Sequence, residues 1–169
     1  LEREANSGPR HLWFHPHCDV AYSSDEQGCS ITSYHFDPRR STLTKAETQS
    51  SLPPEGYAGE KKSTSDIEVH PSGRFVYIAN RGHNSLAAFA IDPSDRTKLT
   101  LISHASTEAV PRSFNIAPNG KFIVAAGQQT GKLAVYRIQE NGSLEHTSTL
   151  DAGKSPAWVQ IVSKPADSN

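Results

Sequence analysis

Three stretches of the chain share one pattern of alternating apolar and polar positions, and in each the alternation ends at a proline. The segments are HLWFHP from His11, DIEVHP from Asp66 and SFNIAP from Ser113. A short turn, a second strand rich in aromatic and β-branched residues and a third alternating strand follow in every case. This pattern predicts repeated units of antiparallel strands and an all-β fold.

The spacing of the prolines sets the period of the repeat. Pro16, Pro71 and Pro118 are 55 and 47 residues apart, close to the roughly 40 to 50 residues of a four-stranded propeller blade. The turns 71–74 and 118–121 suit tight hairpins, because their glycine and asparagine residues accept a positive φ. The sequence therefore predicts part of a β-propeller, and a β-sandwich of the same strands is the structural alternative.

The chain supplies about three and a half blades. We expect blade-like units over about 10–50, 65–106 and 112–151, and a partial strand over 156–163. Closed propellers typically contain four to eight blades, and an open arc exposes unpaired strand edges. We expect the chain to be the C-terminal part of one propeller domain, completed by the remaining N-terminal blades of a longer chain or, alternatively, by a second chain.

The charge is balanced, with 17 Lys and Arg against 18 Asp and Glu and a net charge of −1. This balance gives no support to a nucleic-acid or membrane partner, and no apolar run approaches the roughly 18 residues of a membrane helix. Cys18 and Cys29 flank one predicted strand, on the order of 20 Å apart, so we expect free thiols. Free thiols are compatible with a reducing compartment, and we expect a cytoplasmic location.

Polar residues recur at corresponding places in the units. The first strand of a blade lines the central channel and the second runs antiparallel to it, so the positions before the first and after the second share one face. These positions hold Arg10, His11, Asp25 and Glu26, then Asp66, Asn80, Arg81 and His83, and then Arg112 and Gln128. Arginines, histidines and carboxylates at one mouth of the channel are suited to binding an anion and activating water. Ordinary solvated blade turns are the alternative interpretation.

The opposite face carries His15, His17 and His70 beside the proline turns. Because His15 and His17 alternate along a strand, we expect them to point to opposite sides. No Cys-x-x-Cys or His-Glu-x-x-His spacing is present. The sequence therefore predicts neither a metal site nor any other cofactor.

One long loop, 47–65, is rich in serine, proline and glycine. Loops of this length are either connectors or functional lids. It must end on the same face as Arg10 and Arg81, so Lys61 and Lys62 come within reach of a bound phosphate.

Five blocks carry a family resemblance, GPRHLWFHP (8–16), DIEVHPSGRFVYIANR (66–81), PRSFNIAPNGKFIVAAGQ (111–128), LAVYRI (133–138) and SPAWVQIV (155–162). In this order and spacing they resemble the C-terminal half of the bacterial propeller-type 6-phosphogluconolactonases. That family shares a seven-bladed propeller with the fungal 3-carboxy-cis,cis-muconate lactonising enzymes. The resemblance covers nearly the whole chain and implies a protein of about twice this length.

The resemblance implies roles for particular residues. Arg10 and His11 match the family's Pro-Arg-His segment, and Glu26 matches an acidic residue sixteen positions after that arginine, a proposed active-site carboxylate in the muconate enzymes. Arg81 matches an arginine proposed to act in those enzymes. Arg112 and Gln128 match the Pro-Arg and Ala-Ala-Gly-Gln segments of the lactonases.

The expected reaction is hydrolysis of 6-phosphogluconolactone to 6-phosphogluconate, a step of the pentose phosphate pathway, on a small anionic sugar-lactone substrate. Glu26 would accept a proton from the attacking water, with His11 as the alternative base, while Arg10 and Arg81 stabilise the oxyanion or hold the phosphate. The expected substrate-binding residues are Arg112, Gln128, His83 and Asp25. The alternatives are lactonisation of a carboxymuconate and a non-enzymatic interaction scaffold.

Overall fold

The structure is a computed structural model that describes residues 7–59 and 62–163. Within these residues it contains twelve β-strands and no helix. The first blade comprises β1 (Pro9–Phe14), β2 (Val20–Asp25), β3 (Ser30–Asp37) and β4 (Thr42–Ser50). The second comprises β5 (Ser63–Val69), β6 (Phe75–Arg81), β7 (Ser85–Ile91) and β8 (Leu99–Ser106). The third comprises β9 (Pro111–Ile116), β10 (Phe122–Gly127), β11 (Lys132–Ile138) and β12 (Leu144–Asp151).

Each blade is an antiparallel sheet whose strands follow one another in chain order. The first strand of the second blade, β5, contacts both β1 and β9. The three first strands therefore lie side by side on the inner edge of the arc, as the sequence predicts for strands that line a channel. The all-β class is confirmed.

The core lies between the blades rather than within one. One apolar cluster includes Tyr22 of the first blade with Ile67 and Phe89 of the second. The next joins the second and third blades and includes Tyr77 and Phe114. Alternation along each strand produces these clusters, because every blade presents one apolar face to each neighbour.

Buried tyrosines fix how neighbouring blades meet. Tyr22 and Tyr77 each stand six positions after a marker proline. The Tyr22 hydroxyl donates to the carbonyl oxygen of Arg96 at 2.6 Å, and that of Tyr77 donates to the carbonyl oxygen of Gly142 at 3.0 Å. Each bond reaches the next blade, so the buried hydroxyl is satisfied only when two blades pack together.

The histidines of the opposite face also join blades. His15 Nε2 bonds the carbonyl oxygen of Gly73 at 2.9 Å, and His17 Nε2 bonds that of Pro71 at 3.1 Å. The prediction that His15 and His17 point to opposite sides is therefore wrong. Both residues follow the end of β1 at Phe14, so the alternation of a strand no longer applies to them.

The predicted partial strand over 156–163 does not form a strand. The backbone N–H of Val159 donates to Ser113 Oγ at 3.2 Å, and that of Ile161 donates to Asn115 Oδ1 at 2.7 Å. The segment therefore runs beside β9 and donates to side chains of β9 rather than to its backbone. Among the described residues, no further strand pairs with the segment.

The cysteines are free, as predicted, with Cys18 exposed and Cys29 buried. Among the residues that the structure describes, no helix is long and apolar enough to cross a membrane.

Candidate active site

The repeat brings corresponding positions to one face of the arc. The tenth residue after each marker proline is Glu26, Arg81 or Gln128, and the sixth residue before it is Arg10, Ser65 or Arg112. The first and third blades form the same backbone hydrogen bond at these positions. The N–H of Glu26 donates to the carbonyl oxygen of Gly8 at 2.7 Å, and that of Gln128 donates to the carbonyl oxygen of Val110 at 3.0 Å.

Glu26 lies between two arginines at the boundary of the first and second blades. Its Oε1 bonds Arg81 Nη2, and its Oε2 is 3.8 Å from Arg10 Nε. Backbone carbonyls hold the arginines as well, because Arg10 donates to Ser65 O at 2.7 Å and Arg81 donates to Thr64 O at 2.9 Å. The three side chains are 16% to 32% exposed, so the cluster is partly dehydrated but accessible.

A histidine and an aspartate pair beside this cluster. His11 Nδ1 is 2.7 Å from Asp66 Oδ1, and His11 Nε2 is 3.1 Å from Arg10 Nη1. The carboxylate favours a proton on Nδ1 and leaves the lone pair of the neutral ring on Nε2. The ring is thus oriented by one neighbour and presents its acceptor nitrogen beside a guanidinium group.

A third arginine, Arg112, acts electrostatically on the Arg10 guanidinium. Partial burial lowers the pKa of the Arg10 guanidinium, and the positive charges of Arg81 and Arg112 lower it further, while Glu26 and Asp66 oppose them. Arg112 therefore lies near enough to contribute to the local field. Three guanidinium groups against two carboxylates leave this region positive, which favours an anionic ligand.

The structure does not bring Asp25 to this cluster. The residue is fully buried, and its carboxylate accepts hydrogen bonds from the hydroxyl groups of Ser23, Ser30 and Thr32 inside its own blade. Asp25 is the last residue of β2, and strand alternation turns its side chain away from the mouth that Glu26 faces. The expectation that Asp25 contacts a substrate is therefore not supported by its position.

His83 and Gln128 lie on the predicted face but outside the cluster. The ring of His83 packs between those of Tyr57 and His104, and its Nδ1 bonds Ser85 Oγ at 2.7 Å. Partial burial lowers the pKa of His83, with the nearby His104 acting in the same direction. Gln128 lines a pocket of about 510 Å³ on the third blade.

The sequence predicts Asp66 at the mouth without assigning it a role, and the structure pairs it with His11. It stands five positions before its marker proline, and His11 stands five before the preceding one. Equivalent positions on adjacent inner strands lie side by side. Aligning the repeats therefore predicts that His11 and Asp66 lie side by side.

Two cavities flank the cluster. His11 and Asp66 line a cavity of about 360 Å³ on the channel side, together with Trp158. Arg81 and Lys62 line another of about 620 Å³. The long loop thus ends beside Arg81, as expected from the sequence, whereas Lys61 lies outside the described residues.

The described residues contain no group of three or more histidine, cysteine, aspartate or glutamate side chains that could hold a metal ion. His15 and His17 lie with ring centroids 5.8 Å apart, but each Nε2 bonds a backbone carbonyl. The two rings are therefore not arranged as a pair of metal ligands.

A comparison with protein families matches residues 1–161 to the family described as lactonase, 7-bladed beta-propeller. The 6-phosphogluconolactonase of Pectobacterium carotovorum subsp. carotovorum (strain PC1) is 36% identical over 159 residues, which cover 94% of this chain and 47% of that protein. The chain therefore spans about half the length of this relative.

Two solved structures superpose closely on the arc. A protein from Lactobacillus plantarum gives a TM-score of 0.90 at 30% identity, covering 96% of this chain and 47% of that one. The periplasmic gluconolactonase of Pseudomonas aeruginosa gives a TM-score of 0.88 at 27% identity, covering 98% of this chain and 45% of that one. Nothing in these comparisons favours the carboxymuconate alternative.

Proposed function

Since this chain belongs to the seven-bladed β-propeller lactonase family, we propose that it forms part of a lactonase that hydrolyses 6-phosphogluconolactone to 6-phosphogluconate. The observation that carries the proposal is the joint placement of His11 and the Arg10–Glu26–Arg81 cluster at one blade boundary. This arrangement supplies an oriented base and anion-binding groups, the two requirements for opening an ester ring with water. The name of the Pectobacterium relative supports the phosphorylated substrate.

His11 is the base in this proposal. Its Nε2 takes a proton from the attacking water as the water oxygen bonds to the lactone carbonyl carbon. The same nitrogen returns the proton to the ring oxygen when the C–O bond breaks, which yields the open-chain acid. Asp66 acts as a positioning residue, because it holds Nδ1 and so leaves the lone pair on Nε2, where the attacking water replaces the hydrogen bond from Arg10.

The arginines stabilise the negative charge that develops on the carbonyl oxygen. Glu26, the other candidate base, has a different role in this proposal, since both of its oxygens face guanidinium groups. A proton arriving on Glu26 would have to displace a charged ion pair, whereas one arriving on His11 Nε2 displaces a single hydrogen bond from Arg10. Glu26 instead holds Arg10 and Arg81 at the spacing that the substrate requires.

A complete ring requires further blades. Leu12, Trp13 and Phe14 on β1 are 40% to 46% exposed, and Trp158 near the other end of the arc is 70% exposed. We propose that further blades cover these surfaces, contributed by N-terminal blades of the same domain or by a second chain. Native and denaturing mass spectrometry together distinguish one chain of about twice 18.4 kDa from two identical chains, because only the second separates into halves on denaturation.

The cytoplasmic location belongs to the same proposal, because the two cysteines are free thiols. Cell fractionation tests it. Recovery of the protein with periplasmic markers would contradict it.

The activity is tested by following acid release from 6-phosphogluconolactone with the protein and its Glu26→Gln and Arg81→Ala variants. We expect Arg81→Ala to lower kcat/KM by about 10²–10³-fold, the range for removing a donor to an oxyanion. Arg40→Ala is the matched control, because Arg40 is 83% exposed on the outer part of the first blade. Unchanged hydrolysis in both site variants, or no acceleration by the protein itself, would remove the proposal.

A further inference from the structure

A second cavity lies beside the proposed reaction centre, at the boundary of the second and third blades. Its volume is about 620 Å³, and its lining includes Tyr57, Lys62, Ser63, Arg81, Asn84 and Gln129. This size falls in the range of small-molecule sites, roughly 300–1,000 Å³. Arg81 also bonds Glu26, so the cavity and the cluster share one side chain.

The cavity is positively charged. Lys62 and Arg81 are its cationic side chains, and none of the described residues that line it is acidic. The Lys62 side chain is exposed, and within residues 7–59 and 62–163 its ammonium group forms no ion pair or hydrogen bond. Both hydrogen bonds that Arg81 donates to described residues leave from Nη2. Two cations with unused donors attract a ligand that carries more than one negative charge.

One wall of the cavity is held in an unfavourable backbone conformation. Val110 has a φ of 58°, a region that β-branched residues rarely adopt. Asn84 Oδ1 accepts a hydrogen bond from the N–H of Val110 at 3.0 Å, and the Asn84 carbonyl oxygen accepts one from Thr107 N at 2.8 Å. Strain maintained by specific bonds is characteristic of preformed sites.

The opposite wall is held by stacked rings. The Tyr57 hydroxyl donates to the carbonyl oxygen of Gly82 at 3.0 Å, and the Tyr57 ring packs edge-on against His83 with centroids 5.3 Å apart. His83 packs in turn against His104, whose Nε2 bonds the carbonyl oxygen of Ser51 at 2.9 Å. The long loop is therefore fixed to the second blade where it forms the cavity wall.

We propose that this cavity binds the phosphate monoester end of the sugar lactone, with Lys62 and Arg81 neutralising the dianion, and so selects phosphorylated over unphosphorylated lactones. The inference rests on the proposed function, since it assigns a second part of the same substrate. Lys62 supplies the selectivity, because Arg81 also serves the cluster around Glu26. Tyr57, Ser63, Asn84 and Gln129 contribute polar atoms to the lining.

The test measures binding rather than turnover. 6-Phosphogluconate and gluconate are titrated into the protein by calorimetry, and the titrations are repeated with Lys62→Gln. We expect the wild-type protein to bind 6-phosphogluconate at least about tenfold more tightly, a difference of about 1.4 kcal/mol. Lys62→Gln should remove most of this preference and leave gluconate affinity unchanged.

Lys121→Gln is the matched control. Lys121 is an exposed lysine in the turn 118–121 on the opposite face, and its N–H is held by Asn119 Oδ1. We expect it to retain the wild-type preference. Because Lys62 and Lys121 are both exposed, thermal melting should show equal folding of the two variants.

Equal wild-type affinity for the two acids would overturn the inference, as would no detectable binding of either. An equal loss of both affinities in Lys62→Gln would also overturn it. Failure of the proposed function gives a different result, in which Lys62-dependent binding of 6-phosphogluconate persists but the protein accelerates hydrolysis of neither lactone. Hydrolysis of both lactones at equal rates without a phosphate preference would leave the proposed function standing and remove only this inference.

Discussion

The boundary between the first and second blades differs from the boundary between the second and third, although one repeat builds both. At the first boundary a side chain meets a side chain, because His11 bonds Asp66. At the second, carboxylates of β5 accept from backbone N–H groups of β9, and Glu68 also accepts from the Asn115 side-chain amide. Asp66 Oδ2 accepts from Phe114 N at 3.2 Å, and Glu68 Oε2 accepts from Ile116 N at 2.8 Å.

The difference comes from two equivalent positions on the inner strands. The position five before the marker proline is His11 in the first blade and Asp66 in the second, and the position three before it is Trp13 or Glu68. A carboxylate that accepts a hydrogen bond from a backbone N–H of the next blade joins the two blades. His11 uses Nδ1 for the bond between the blades, and its Nε2 bonds only Arg10 Nη1, a single hydrogen bond that water can displace. The same backbone therefore provides a structural boundary and the boundary at which we propose the reaction takes place.

A large predicted effect separates the two roles of Asp66. Asp66→Asn should lower kcat by on the order of 10²–10³-fold, within the range of general acid–base catalysis, and should change KM little. It should also alter the pH profile of kcat, since the His11 tautomer is no longer fixed. Steady-state kinetics over a pH series measures both.

Glu68→Gln is the control for that variant, because it makes the same change of carboxylate to amide two residues along β5 without touching His11. We expect its kcat to stay within about twofold of wild type. Equal losses of kcat in the two variants would show that Asp66 acts only by joining the blades.

The next effect tests the structural boundary. Glu68→Ala leaves the N–H of Ile116 and the amide of Asn115 without their acceptor, and an unsatisfied buried group costs about 1–3 kcal/mol. We expect a decrease of about 3 kcal/mol in the free energy of unfolding, measured by urea denaturation at about pH 5. Trp13→Ala at the equivalent position should cost less, about 1 kcal/mol, because Trp13 is 40% exposed and the first boundary lacks this bond.

A comparable effect follows from the titration of Glu68. Burial raises the pKa of Glu68 to about 7, the charge of Asp66 acts in the same direction, and hydrogen bonds from Ile116 N–H and the Asn115 amide oppose them. The unfolded chain releases this proton near 4.5, so between 4.5 and 7 the folded state binds more protons. Stability therefore falls by about 3 kcal/mol in total as the pH rises through that window, and it is constant above it.

Urea denaturation of the wild-type protein and Glu68→Gln across that pH range measures the difference. The amide does not titrate, so the pH-dependent loss should disappear in the variant. Parallel curves for the two proteins would contradict the buried, proton-binding state of Glu68.

The smallest effect concerns the strained wall at the second boundary. A left-handed conformation costs an ordinary residue about 1–2 kcal/mol, and Val110 occupies it where the first blade has Gly8 with a φ of 59°. Val110→Gly should therefore be more stable than Val110→Ala by about 1 kcal/mol, although glycine is the less stable residue at an ordinary strand position. Thermal melting of the two variants gives the sign, and a more stable alanine variant would mean that the position carries no strain.

Local patterns predicted much of the fold and part of the site. Alternation and the spacing of Pro16, Pro71 and Pro118 suffice for the strand order, because each blade is built from neighbouring segments. Glu26 and Arg81 were also predictable, since both stand ten residues after a marker proline, at the end of the second strand of a blade.

The remaining features depend on contacts between blades or on the exact end of a strand. Asp25 and Glu26 are adjacent in sequence, yet one is fully buried and the other reaches the mouth, because β2 ends between them. The burial of Glu68 arises only when the third blade packs against β5. Tyr57 and Lys62 come together at the end of a long loop whose course no periodicity encodes.

The measurement that most directly tests the reactive boundary is kcat/KM for 6-phosphogluconolactone in His11→Gln and His17→Gln. Both variants replace a partly exposed or exposed histidine of the first blade, but His17 bonds the Pro71 carbonyl on the opposite face. We expect His11→Gln to lower kcat/KM by about 10²–10⁴-fold and His17→Gln to leave it unchanged. Equal activity of the two variants would contradict the assignment of the reaction to the boundary between the first and second blades.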